Sequence, residues 1–310
     1  MAHVLGIDAG GTKTRAILAD ASGRVRGGAL GGGANLRTHG ELEVEKVLHQ
    51  VIEEASAAAA ATPDAIAIGI AGADRPADEA ALRGILRRIG FRERVVVTND
   101  ARIAFVAGSP ERVGLALVCG TGSIAWGRNR AGEIARSGGW GWHVGDEGSG
   151  FWIGERAIRA VLRASDGRGP ATSLDGALSA HFEIERPDQI LYAIYDREYP
   201  RTRVAKFAAR VGEAALAGDA VAKGILSDAS AELVQAAVSV RDRLGLEDST
   251  YDVVLSGGTF AAVPGLAAQV ALHLESAQAK VGMLSEEPAM GAVRLAIEAL
   301  DAPSREGPAA

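Results

Sequence analysis

The sequence predicts an α/β protein built from two duplicated domains with a cleft between them. Three observations lead there. The chain has 310 residues, enough for two domains of roughly 100–200 residues each. A pattern recurs at an offset of 109, which carries Gly11 onto Gly120, Thr12 onto Thr121, Thr14 onto Ser123 and Gly23 onto Gly132 without a gap. Forty glycines cluster beside strands, where backbone must turn tightly or approach a ligand. A repeat this long implies duplicated domains, because solenoid periods are shorter.

The elements follow in order. Residues 4–20 are apolar and β-rich around a glycine break, and Ala21-Ser22-Gly23 signals a turn into another strand from Arg24. Leu42, Val44, Val47, Leu48, Val51, Ile52 and Ala55 recur at helical spacing up to an alanine stretch before Pro63. Residues 65–70 read as a buried strand. Leu82, Ile85, Leu86 and Ile89 mark a helix stopped by Gly90, and residues 94–98 form a strand ending in Asn99-Asp100. The order strand, turn, strand, hairpin, strand then restarts. Residues 147–244 are mainly helical, with a looser charged stretch at 183–199. A strand at 252–256 enters Gly257-Gly258-Thr259, and helices are expected at 261–274 and 289–300, the latter interrupted by Gly291. The tail after Asp301 is expected to fray. Domain boundaries are placed at 1–110 and 111–287, with the last helix packing back on the first domain.

Composition excludes several classes. A net charge of −6 with no Lys/Arg run leaves no electrostatic footprint for nucleic acid. The single cysteine, Cys119, excludes an internal disulfide framework and any Cys-cluster zinc or iron–sulfur site. No charged n-region with a long apolar segment opens the chain, and no apolar run reaches membrane-span length. The expectation is a soluble cytoplasmic protein without nucleic-acid or membrane partners.

The chemistry-bearing motifs are short. Gly10, Gly11, Thr12 and Lys13 follow the first strand. Neither a Walker loop nor a dinucleotide fingerprint fits, since the required lysine spacing, third glycine and opening helix are absent. A hairpin whose amides face an anion performs the same task. Asp8 at the strand end suits a hydrated Mg²⁺; alone, it is also an ordinary surface acid. Gly120, Thr121, Gly122 and Ser123 form the second copy, and two such turns facing each other would clamp phosphates from both sides. Asp100 reads either as a general base for a bound hydroxyl or as a helix cap. All four tryptophans lie between Trp126 and Trp152, around Gly139, Trp140, Asp146 and Glu147. Carboxylates, aromatics and glycines in one stretch suit a sugar; Trp142 and Trp152 also read as core, and Asp146 or Glu147 as caps. Asn35 either contacts a ligand or holds its turn. Gly257 and Gly258 allow backbone to pack on a flat ring or simply turn the chain.

Together GIDAGGTKT (6–14), TNDA (98–101), CGTGS (119–123), GGWGWHVGDEGSG (138–150) and LSGGT (255–259) resemble the N-acetylglucosamine kinase-like branch of the actin, hexokinase and Hsp70 ATPase superfamily. That branch shares a family name with the BadF/BadG/BcrA/BcrD-type ATPases. The resemblance spans about residues 4–300, and its 138–150 stretch is the most specific part. It implies two ribonuclease H-like (actin-like ATPase) domains with a central interdomain cleft, ATP and Mg²⁺ as cofactors, and a small-molecule sugar as partner. It further implies Asp8 on the Mg²⁺ side, Asp100 as base, and phosphate contacts at Gly11-Thr12 and at 120–123. Asn35, Gly72, Asp146 and the Gly139-Trp140 backbone would hold the sugar, and Gly257-Gly258 would border adenosine. The loop Ala71-Gly72-Ala73-Asp74 departs from the mammalian-type kinases, which offer a serine there. A homodimer is expected from the resemblance alone. Phosphorylation of N-acetylglucosamine at its 6-hydroxyl is the implied activity, with glucosamine or N-acetylmuramic acid as alternatives. An actin-like switch without a sugar acceptor is the rival of another class.

Overall fold

The computed structural model describes residues 1–73, 75–92, 94–195 and 201–301. Asp74 of the loop singled out above, part of the charged stretch at 183–199 and the tail after Asp301 lie wholly or partly outside the described residues. The chain divides into two units, one of Met1–Arg112 with the segment from Leu284 onward, the other Val113–Met283.

The first unit begins with β1 (His3–Ala9), β2 (Lys13–Asp20) and β3 (Val25–Gly32), followed by α1 (Leu36–Ala59), β4 (Ala65–Ile70), α2 (Pro76–Ile89), β5 (Val95–Thr98) and α3 (Asp100–Gly108). Its sheet runs β3-β2-β1-β4-β5. β1 to β3 are antiparallel neighbours, whereas β4 lies parallel to β1 and β5 parallel to β4. Every residue of β4 is buried, as a strand covered on both faces requires. Local chemistry sets the helix ends. α2 starts on Pro76 with Asp78 and Glu79 in its first turn, ends with Arg87 and Arg88, and is closed by the left-handed Gly90. α1 is kinked at Gly40, whose φ is 75°.

The second unit repeats the sheet. β6 (Gly114–Cys119), β7 (Ser123–Arg128) and β8 (Ile134–Gly138) are followed, among the described residues, by the α-helices α4 (Gly150–Ser165), α5 (Leu174–Phe182), α6 (Ile190–Tyr195), α7 (Arg201–Leu216) and α8 (Ala220–Arg243). Then come β9 (Tyr251–Ser256), α9 (Gly258–Ala262), α10 (Leu266–Leu274) and β10 (Ala279–Met283). The order β10-β9-β6-β7-β8, with β9 parallel to β6 and β10 parallel to β9, matches the first sheet strand for strand. α11 (Pro288–Asp301) belongs to the first unit and packs on β1, β4 and α3. The two cores are separate: Leu5, Ile7, Leu48, Ile66 and Leu82 in one, Leu117, Ile153, Phe207, Leu233 and Leu255 in the other.

Four sequence expectations change. The repeat is not gapless. Ala9 pairs with Thr14 and Cys119 with Ser123, so the second turn is one residue shorter and Gly120 corresponds to Gly10, not Gly11. Their hydrogen bonds agree, Gly10 N–H donating to the Lys13 carbonyl and Gly120 N–H to the Gly122 carbonyl. The offset of 109 does hold for the next hairpin, where Asp20–Arg24 and Asn129–Glu133 make equivalent backbone bonds. The expected helix at 261–274 is two helices, α9 and α10, parted at Pro264 and the left-handed Gly265. Gly291 does not interrupt α11. It is the point of closest approach, where a methyl group would run into the Ile103 carbonyl and lie 2.8 Å from the Ala107 nitrogen. Lastly, β10 has no clear sequence signal, being a short edge strand with exposed lysine, glycine and methionine.

Candidate active site

In the first unit the parallel strands β1, β4 and β5 bring their carboxyl ends to one edge, the edge at which open α/β sheets bind ligands. The register sets Asp8 beside Gly69, and Gly69 beside Thr98. Asp8, the β4–α2 loop and Asp100 therefore share that edge. Asp8 feels Asp100 directly. Burial first, then the Asp100 charge, push its carboxyl up to about 7; Lys13 opposes the shift and Glu287 adds to it. Glu287, placed by α11 and bonded to Arg15 at 2.6 Å, carried no signal in the sequence.

Asp100 opens α3, but the cap is Asn99, whose side chain accepts from Arg102 N–H at 2.7 Å. The capping alternative for Asp100 thus passes to its neighbour. The Asp100 carboxylate accepts from Ala101 N–H at 3.0 Å.

The turn Gly10–Lys13 is held to the next loop by Ala34 N–H, which donates to the Gly10 carbonyl at 3.0 Å. Gly33 permits this approach: a methyl there would collide with the Gly11 carbonyl and lie 2.9 Å from the His39 ring. Gly11 itself faces open space, and Thr12 and Lys13 are exposed. Asn35 both holds its turn and reaches across. Its oxygen caps α1 through Arg37 N–H at 3.0 Å, and its amide nitrogen donates to the Ala71 carbonyl at 3.0 Å. Ala71 N–H donates in turn to Ala9, at the end of β1. Gly72 has a φ of 86°, and a methyl there would touch the Asn35 nitrogen at 3.5 Å.

The second unit gathers its candidates on the equivalent edge. The Gly120 carbonyl accepts from Gly150 N–H at 2.9 Å and from the Thr259 hydroxyl at 2.7 Å. Ser123 donates from its hydroxyl to the Glu147 carbonyl at 2.7 Å, and its carbonyl accepts from Gly139 N–H at 2.9 Å. Gly257, at φ 115°, sits so close that a methyl would strike the Cys119 carbonyl; Gly258 opens α9 beside it with free space. The turn 120–123, Gly139 and Gly257 thus form one backbone cluster. Asp146 is buried at φ 54°, with its carboxylate 2.6 Å from a methyl placed on Gly122. Burial pushes its pKa up, and the Gly141 and Ser123 amides together with Arg201 oppose that. Asp146 does not cap the following helix, nor does Glu147; Ser149 does, through Trp152 N–H at 3.2 Å. Trp142 and Trp152 are partly buried against the core. Trp140 is 57% exposed and lies under the Arg136 guanidinium at 4.4 Å.

A sequence model of the BadF/BadG/BcrA/BcrD ATPase family matches residues 5–296. The chain belongs to this family. Among curated relatives, the N-acetylmuramic acid/N-acetylglucosamine kinase of Clostridium acetobutylicum is 33% identical over 301 residues, covering 96% of this chain and 98% of that protein. The N-acetyl-D-glucosamine kinase of Dictyostelium discoideum is 31% identical over 273 residues, 82% of this chain and 84% of its own. The solved structure of a Chromobacterium violaceum protein, provisionally assigned as an N-acetylglucosamine kinase, matches with a TM-score of 0.75 at 24% identity. That match covers 96% of this chain and 99% of the other, and at that identity it shows the fold: two α/β domains of the actin-like ATPase kind. For this BadF/BadG/BcrA/BcrD-type ATPase, membership implies ATP use. Among the described residues no group of three or more metal-ligating side chains stands together, and no helix is long and apolar enough to cross a membrane.

Proposed function

We propose that the protein is an ATP-dependent amino-sugar kinase, with the 6-hydroxyl of N-acetylglucosamine as acceptor and Asp100 as general base. The observation that carries this reading is the placement of Asp100. It stands at the carboxyl edge of the first sheet, relieved of capping by Asn99 and close enough to Asp8 to raise that carboxyl. The relatives named N-acetylglucosamine and N-acetylmuramic acid kinases support the acceptor class.

In the reaction the sugar hydroxyl oxygen bonds to the γ-phosphorus while the bond from that phosphorus to the β–γ bridging oxygen breaks, releasing ADP. Asp100 takes the hydroxyl proton. The turn amides at Gly11, Thr12, Thr121 and Gly122 are assigned to phosphate oxygens, while those of Gly10 and Gly120 close the turns themselves; this chemistry needs mainly positioning and charge neutralisation. Asn35, Gly72, Gly139, Trp140 and Asp146 are assigned to the sugar, and Gly257-Gly258 to the adenosine side. Asp8 fits a magnesium site: two neighbouring carboxylates, one pushed up to about 7, favour a divalent cation. Magnesium usually takes only one or two protein carboxylates. Bound with ATP, it would neutralise charge on the β and γ phosphates.

The deciding experiment is ADP release with Mg·ATP over a panel of hexoses and amino sugars. N-acetylglucosamine should raise the rate well above the sugar-free background. A background unchanged by every sugar would replace the kinase by an ATPase switch without a small-molecule acceptor.

A further inference from the structure

Asp8 faces an arginine that does not hold it. In the β1–β2 register Asp8 stands directly opposite Arg15. Opposed residues of an antiparallel pair project to the same face, with Cβ atoms about 4.5–5.5 Å apart, and an arginine so placed would ordinarily pair with the acid. Here the guanidinium lies the other way, towards β3. Its Nη1 donates to the Ala29 carbonyl at 3.3 Å and its Nε to Glu287 at 2.6 Å. Among the described residues, no hydrogen bond or ion pair reaches the Asp8 carboxylate.

Two features keep Arg15 in that place. Gly28 gives it room: a methyl there would lie 3.0 Å from Nη1 and 3.4 Å from Cζ, so a larger residue would lift the guanidinium. Glu287 gives it a partner. This acid stands just ahead of α11, which packs on β1 and β2, and 53% of its side chain is exposed against 31% for Arg15. So exposed a pair adds little to stability. Its consequence is where it leaves the positive charge. A guanidinium and a divalent cation compete for the same carboxylate oxygens. Turned to Asp8, Arg15 would occupy those oxygens with its own N–H donors and set a positive charge beside the ion.

We propose that Glu287 is a positioning residue: by holding Arg15 across Gly28, it keeps the Asp8 carboxylate open to the divalent cation that accompanies ATP. This rests on the assignment of Asp8 to the cation and not on the identity of the sugar.

The test titrates Mn²⁺, as a stand-in for Mg²⁺, into protein saturated with ADP and reads the free ion by electron paramagnetic resonance. Wild type, Glu287→Ala, Arg15→Met and the double variant are compared, with thermal midpoints and metal-free ADP affinity as controls. The wild type should bind Mn²⁺. Glu287→Ala should weaken that binding about 10–100-fold, the range for outer residues that orient a metal ligand, while metal-free ADP affinity stays close to wild type. Arg15→Met should not weaken it. The double variant should regain most of what Glu287→Ala loses, because no guanidinium remains to move; a merely structural loss would not be rescued in this way. Glu287→Gln, which keeps the side-chain volume, repeats the comparison if alanine lowers the thermal midpoint. Unchanged Mn²⁺ affinity in Glu287→Ala, or an equal loss in the double variant, would overturn the proposal, as would a wild type that binds no Mn²⁺. A wild type that binds Mn²⁺ with ADP yet phosphorylates no sugar would remove the kinase reading and leave the role of Glu287 standing.

Discussion

Asp100 and Asp8 are two carboxylates at one strand edge with different tasks. Asp100 is the proposed base, and general bases contribute about 10²–10⁴-fold to rate. Asp100→Asn should therefore lower kcat by about that factor while ATP binding, read by calorimetry, stays close to wild type; near-normal turnover would remove Asp100 from the mechanism. Asp8 makes a prediction about stability. Its pKa rises from 3.8 unfolded to about 7 folded, so between those values the folded protein holds more protons than the unfolded chain. Stability contributed by this site consequently falls as pH rises from about 4 to about 7, and the whole penalty stands above that. Asp8→Asn should then be more stable than wild type at pH 8, by ~1–3 kcal/mol once solvent access is allowed for. The gain should shrink towards pH 4. Urea midpoints across that range, without nucleotide or magnesium, measure it.

At the scale of elements, the site is held by backbone brought unusually close. α11 lies against β1 and α3 because Gly6 and Gly291 lack side chains. A methyl on Gly6 would come within 2.5 Å of the Ala289 carbonyl, and one on Gly291 would strike Ile103. Neither neighbour is a flexible side-chain tip, so the interface would have to part. Gly291→Ala should cost about 3 kcal/mol or more, read as a lower urea midpoint. It should also weaken activity, because α11 follows Glu287, which faces Asp8 and Arg15. These elements were legible unequally. α2 was plain from its periodicity and from Gly90. β10 was not, because an exposed edge strand has no buried face to impose alternation.

At the scale of the molecule, the same five-stranded topology occurs twice, but the two units differ in continuity. The second runs unbroken from Val113 to Met283, whereas the first needs the segment from Leu284 to cover β1, β4 and α3. Residues 113–283 expressed alone should unfold cooperatively. Residues 1–112 alone should not, and should regain a transition when 284–301 is attached. Circular dichroism during a thermal scan distinguishes the outcomes; a cooperative 1–112 fragment would show that α11 is dispensable to that core.

The two glycine turns, the acids at the end of β1 and just past β5 and the doubled strand pattern were readable from the chain, because each is set by neighbours within a few residues. The assignment of the cap to Asn99 and of the following cap to Ser149 was not, since adjacent polar residues compete and only backbone geometry chooses between them. The missing residue in the second turn needed the strand register. Glu287 beside Asp8, and Asn35 against Ala71, needed chain segments remote in sequence to be brought together. Local propensity could decide the loops and acids; only packing could decide which charges meet.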